Sequence, residues 1–151
     1  GTPSSTGATR HRRAASDVAR LMSVAFTEAA VRDRTKTVTR RKGWWEDKNG
    51  RRMVKPGDRL TLCRKVMGRK GAPLLRIAEV EVVHVQRHAL SDLLTCDPQE
   101  AREEMALEGF PTVVPYEFVR RFFVEAQGMD VGDFVTRIEW RYLDAEAGEP
   151  T

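Results

Sequence analysis

The chain has 151 residues, of which 40% are apolar and 32% charged, with a formal net charge of +4. One domain with short tails fits that length, and such a chain can bury a core without a metal or disulfide staple. No apolar run is long enough to span a bilayer and no secretory leader opens the chain, so a cytoplasmic protein without a membrane partner is expected, with Cys63 and Cys96 as separate reduced thiols. The charge is unevenly spread: positions 32–76 hold 16 Lys/Arg against 4 Asp/Glu, and positions 77–151 hold 6 against 16. A basic region of that size draws in polyanions. The alternative is a set of charges that pair across the fold.

Residues 1–15 are small, polar and basic and are expected to be disordered. Leu21–Phe26 reads as a short strand or extended entry, followed by a short helix over 28–34 capped by Thr27. Positions 36–41 are β-branched at alternate steps and strand-like. Asn49-Gly50 marks a hairpin turn within the polar loop 43–52, and Lys55-Pro56-Gly57-Asp58 a second turn. Strands are expected over 59–66 and 74–85. Leu75, Ile77, Val80, Val82, Val83 and Val85 do not alternate cleanly, which places a bulge near 79–83. One helical turn comes next, at 91–94. Asp97-Pro98-Gln99-Glu100 supplies the cap, first-turn proline and capping-box glutamate of a helix running to about Leu107, with Gly109 as its stop. Pro115 opens a further helix to about Gln127, with Phe118, Phe122 and Phe123 on its apolar side. A last strand spans 134–143, with Phe134, Thr136, Ile138, Trp140 and Tyr142 on one face, before a small polar tail at 144–151 that is expected to be disordered. Short strands without a βαβ series predict an α+β domain: a small, mostly antiparallel β-barrel with short helices at its mouth.

The densest chemistry lies in Lys36-Thr37-Val38-Thr39-Arg40-Arg41. A threonine hydroxyl becomes a nucleophile when a base takes its proton, and a lysine serves as that base when burial or a neighbouring cation lowers its pKa. A strict strand would put Lys36 and Thr39 on opposite faces. On spacing alone the preferred reading is a basic strand gripping phosphate, with Arg40, Lys42, Arg64, Lys65, Arg69 and Lys70 as further phosphate contacts or as ordinary surface charge. Glu108 sits at a helix end, where the partial negative charge suits a general acid/base, or it is an exposed helix-end carboxylate. Trp44 and Trp45 flank the basic strand, placed either to stack on a base or to close the core. His11, His84 and His88 have no zinc spacing, His84 reads as a packed histidine, and no Gly-rich phosphate loop is present, so neither a metal nor a cofactor is expected.

The ordered series RTKTVTRR (34–41), VKPGDRLTL (54–62), LLRIAEVEVVHV (74–85), LEGFP (107–111), EFVRRFF (117–123) and VTRIEW (135–140) resembles the ASCH domain, a branch of the PUA-like superfamily, over positions 21–143. The pieces GWW (43–45) and CRKVMGRK (63–70) resemble short proteins of actinobacteria and their phages that carry this domain. The resemblance implies a PUA-like barrel with helices flanking a cleft, and partners that are RNA or modified nucleosides. One bacterial branch hydrolyses N(4)-acetylcytidine with a Lys and a Thr of a G-x-K-T-x-T-x-R segment and a downstream Glu. Carried over, these fall on Lys36, Thr39 and Glu108 as catalytic residues, with Arg41 closing the segment. Thr37, Arg41, Trp44 and Trp45 are the expected substrate contacts beside them. The glycine before the lysine is replaced here by Arg34-Thr35. Three functions are expected in consequence: hydrolysis of an acylated nucleoside, non-catalytic binding of RNA or a modified base, and cleavage of RNA. A monomer is expected, since no coiled-coil seam is evident.

Overall fold

The computed structural model describes residues 19–65 and 73–143; the expected tails at 1–15 and 144–151, together with Arg69 and Lys70, lie outside the described residues. In chain order the elements are β1 (Arg20–Ser23), a 3-10 turn (Ala25–Thr27), α1 (Glu28–Arg32), β2 (Val38–Arg41), β3 (Arg59–Lys65) and β4 (Leu74–Ala89). Then come α2 (Asp92–Thr95), α3 (Pro98–Glu108), α4 (Pro115–Val119) running on as a π-helix (Arg120–Glu125), and β5 (Phe134–Tyr142). Among the described residues no helix is long and apolar enough to cross a membrane.

The class is α+β, as expected, but the barrel does not close. The five strands form one mixed sheet in the order β1-β3-β4-β5-β2, with β1 and β3 parallel and the other pairs antiparallel. The strands that would have to meet, β1 and β2, are joined by the 3-10 turn and α1 and, among the described residues, remain the edges of the sheet. Just before β2 the ladder is diverted: Thr37 N donates to Leu107 O of α3 at 2.9 Å, while its carbonyl accepts from Trp140 N on β5 at 2.9 Å. A side chain spans the remaining seam, with Arg41 Nη2 of β2 donating to Ser23 O of β1 at 2.6 Å.

Strand alternation sends apolar residues to two separate cores, one on each face. Leu60, Leu62, Val80, Val82, Ile138 and Trp140 fill the first with Met22 and Val31. Leu90, Leu93, Met105, Phe118, Val119, Phe123 and Val135 fill the second, under the helices. A fully buried side chain of this size contributes about 1.5–3 kcal/mol. Two register shifts bend β4, one opposite Leu62/Cys63 and one between Val82 and His84. The second is the expected bulge, and it reverses the phase: Val83 and His84 both turn to solvent, so His84 is not a packed histidine. The shared face expected for β5 also breaks at its start, where Phe134 is exposed under the Arg87 guanidinium while Val135 is buried against the helices.

α3 begins as the sequence dictates, with the Asp97 carboxylate accepting from Gln99 N and Glu100 N, and it ends at Gly109 with φ 97°. That end is tight as well as left-handed, since a Cβ on Gly109 would lie 3.0 Å from Thr27 Cγ2 and 3.2 Å from Ala30 Cβ. Thr27 therefore does not cap α1 with its hydroxyl; it is buried against the end of α3.

Candidate active site

Lys36 enters the interior because the chain leaves α1 in a tight turn. Arg34 adopts the left-handed conformation (φ 69°), at the position where the resemblance expects glycine. A non-glycine residue there costs about 1–2 kcal/mol. Its guanidinium offsets part of that cost by donating to Val31 O and Arg32 O. The turn delivers Lys36 N to Ala30 O at 3.1 Å. The Lys36 carbonyl accepts from both Trp140 Nε1, at 3.1 Å, and the Tyr142 hydroxyl. Nζ donates to Val38 O at 2.8 Å and to Glu108 O at 2.7 Å, and faces Glu108 Oε1 at 3.6 Å. An ammonium thus sits on the last carbonyl of α3, at the negative end of the helix dipole.

Glu108 is 2% exposed, which settles the choice left open for it between a surface carboxylate and an interior one. Its second oxygen accepts from Arg40 Nη1 at 2.9 Å. Arg40 Nη2 reaches Glu104 Oε1 at 2.6 Å, and Arg137 clamps Glu104 with two bonds of 2.9 and 3.0 Å. Glu104 and Glu108 are one turn apart on α3 and so face β2 and β5 together. Buried charges persist only when paired and hydrogen-bonded, as these are. Burial drives the Lys36 ammonium down to about 8; the Glu108 carboxylate opposes the shift, and Arg41 and Arg40 add to it. For Glu104, burial works upward, but the bonds from Arg137 and Arg40 outweigh it and hold the carboxyl below its usual range.

Thr39 and Arg41 lie on the other side of β2 from Arg40. Arg41 Nε donates to Thr39 Oγ1 at 3.2 Å, and burial lowers the Arg41 guanidinium from its usual value. Both open onto a cavity of about 600 Å³ lined also by Lys36, Arg40 and Glu108. Its other wall is aromatic. Phe122 stands 5.0 Å from Phe110, 5.7 Å from Phe118 and 5.9 Å from Phe26 between ring centroids. The π-helix carries Arg121, Phe122 and Phe123 into the lining, a widened turn of the kind that recurs at functional sites. A cavity with polar groups converging at one end and rings along the wall suits a planar ligand with one polar edge.

The sequence-predicted set thus divides. Lys36, Thr39, Glu108 and Arg41 share the cavity, as does Arg40, which is interior and carboxylate-bound rather than presented on a phosphate-facing surface. Thr37 serves the backbone ladder and does not line the cavity. Neither does Trp44, which packs against the first core, nor Trp45, whose ring lies 3.6 Å below the Arg52 guanidinium. Lys42 is exposed and Arg64 pairs with Glu28 at 2.5 Å. The side chain of Lys65 lies outside the described residues. Sequence reasoning missed Glu104 and Arg137, whose partners are 64 and 33 residues away, and also Phe26, Phe110 and Arg121. The i, i+4 spacing of Glu104 and Glu108 was the one available signal for Glu104.

No family model matches the sequence, and no curated protein matches it. Solved structures do. Protein EF3133 from Enterococcus faecalis V583, of family-model DUF984, aligns with a TM-score of 0.53 at 15% identity over 78% of this chain and 69% of that one. The hypothetical protein PH0355 aligns with a TM-score of 0.50 at 20% identity over 83% of this chain and 100% of that one. An ASCH domain from Lactobacillus crispatus JV V101 aligns with a TM-score of 0.51 at 12% identity over 82% and 79%. At such identities the likeness is one of fold: the chain has the ASCH-domain fold.

Proposed function

We propose that the protein is an amidohydrolase that removes the acyl group from the exocyclic amine of N(4)-acetylcytidine or a related acylated nucleoside. The observation that carries this reading is that Lys36, Thr39 and Glu108, drawn from the turn before β2, from β2 and from the far end of α3, line one aromatic-walled cavity. Neutral Lys36 takes the Thr39 proton, directly or across one water. The Thr39 oxygen adds to the acyl carbon, and Arg41, already donating to that oxygen, faces the developing oxyanion. The C–N bond then breaks. The proton held by Lys36 passes by way of the facing Glu108 carboxylate to the departing amine. Water adds to the acyl-Thr39 ester with Lys36 again as base, releasing the acid and restoring the hydroxyl. As an ammonium, Lys36 has its protons directed at Val38 O, Glu108 O and Glu108 Oε1, so its lowered pKa is what admits the first step near neutral pH.

The test is chromatography of N(4)-acetylcytidine incubated with wild type, Thr39→Val and Lys36→Ala. Cytidine release that is lost in both variants is expected. No release by wild type at high enzyme concentration overturns the reading, and full activity in either variant removes that residue from its role. One observation favours a second reading, non-catalytic binding of RNA or a modified base. Lys42, Lys48, Arg51, Arg52, Lys55 and Arg59 come directly after β2 and are all exposed. Affinity for RNA that falls steeply with salt, without turnover, would establish it.

A further inference from the structure

The charges around the cavity do not cancel. Lys36, Arg40, Arg41 and Arg121 line it against Glu108 and Glu125. Glu108 is taken by Lys36 and Arg40. Glu125 is taken by Arg120, which also holds Glu117 at 2.5 Å. Among the described residues, Arg41 and Arg121 are left with no carboxylate at ion-pair distance. Arg41 is engaged at the reacting end by Thr39 Oγ1 and Ser23 O. Arg121 is exposed, with its guanidinium 6.0 Å from the Phe122 centroid. Across from Phe122 stands Phe26, which is 84% exposed although it belongs to the lining.

A planar base entering along the wall formed by Phe26 and Phe122, whose rings meet edge to face, buries apolar surface against both and directs its exocyclic amide at Thr39. The ribose then trails toward the rim, and any group attached to the ribose meets Arg121. A guanidinium fork matches a phosphate in geometry and charge, whereas a neutral nucleoside leaves this cation unused. We infer that the ligand is phosphorylated: an acylated nucleotide held base-inward with its phosphate on Arg121. This rests on the hydrolase reading for the base and adds the anion subsite. The phosphate has two sources of identical chemistry, a free nucleotide and a nucleotide within an RNA strand.

The test compares N(4)-acetylcytidine, its 5′-monophosphate and a short RNA carrying one N(4)-acetylcytidine at its 5′-phosphorylated end. For each, kcat/KM is measured with wild type, Arg121→Gln and Arg76→Gln, an exposed control outside the cavity. Calorimetric binding to Thr39→Val, with and without Arg121→Gln, is measured in parallel. A charge-assisted contact corresponds to about tenfold or more, so the phosphorylated forms should exceed the nucleoside by that factor. The ratio should collapse in Arg121→Gln and persist in Arg76→Gln. Equal constants for nucleoside and monophosphate, or a preference that survives Arg121→Gln, overturn the inference. Phosphate-dependent binding without turnover of any substrate keeps the anion subsite and removes the hydrolase. Turnover without phosphate preference does the reverse. A larger constant for the RNA than for the monophosphate assigns the phosphate to a strand, and the opposite order to a free nucleotide.

Discussion

Two adjacent stretches of one basic segment end in opposite environments. Lys36 and Arg40 are 2% and 6% exposed, and both are bound to carboxylates of α3. From Lys42 to Arg59 the cations stand in water. Charge content does not separate the two stretches; the structure that receives each of them does. The first is pinned by a ladder to β5 and roofed by α3, so its cations face Glu104 and Glu108. The second leaves the sheet for a loop held by the Glu46–Arg52 bridge and the Asn49-Gly50 turn. The acidic half of the chain is therefore more than a counter-surface to the basic half: two of its carboxylates neutralise the interior part of the basic segment. A cation that faces carboxylates in low dielectric is a structural and chemical element, whereas one in water is a screened charge.

The largest effect should come from removing the shared carboxylate. Glu108→Gln leaves Lys36 and Arg40 buried beside a neutral amide, and breaking one side of a buried pair costs about 3–5 kcal/mol. Urea titration should show that loss, whereas Lys55→Ala should change stability by less than about 0.5 kcal/mol. Equal effects of the two variants would erase the distinction between the stretches.

Next comes the pH dependence carried by Lys36. Its ammonium titrates at about 8 in the fold against an ordinary 10.5. Between those values the unfolded chain holds a proton that the folded chain has released, so stability rises with pH across that window. The full gain is about 3 kcal/mol, reached near pH 10.5, and below pH 8 the group adds no slope. Lys36→Met should flatten the difference in unfolding free energy measured between pH 8 and 10. If Lys36 is the base, kcat/KM for the hydrolase should climb through the same pKa, because the neutral amine does the work. A stability curve for wild type that matches Lys36→Met would mean that the lysine is not held below its ordinary value.

Local signals are legible in the sequence. The Asp97 cap, the Gly109 stop, the β4 bulge and the Asn49-Gly50 turn are each set by residues within a few positions of one another. The course of Lys36–Arg41 could be read only in part. The motif marked the segment, but a strict strand separates Lys36 from Thr39, and they share the cavity because Lys36 precedes β2, in the turn that leaves α1. The open sheet was not legible either, since closure depends on whether two edge strands meet, and here an arginine side chain spans them instead. Glu104, Arg137 and Phe26 acquire their roles from partners at long sequence separation, which periodicity does not encode.

The smallest effects belong to the exposed stretch. Lys42, Lys48 and Lys55 are all exposed, so neutralising all three should leave the fold within about 1 kcal/mol of wild type. Their contribution is to long-range attraction. If RNA passes over this loop on its way to the cavity, each lost phosphate contact lowers the slope of log affinity against log salt by about 0.7. The triple variant should then bind a single-stranded RNA with a shallower salt dependence while hydrolysing the free nucleoside at the wild-type rate. A neutral nucleoside feels no field from these lysines, and none of them lines the cavity. An unchanged salt slope would confine recognition to the interior cations, Arg41 and Arg121 among them, and leave the loop as a solvated surface.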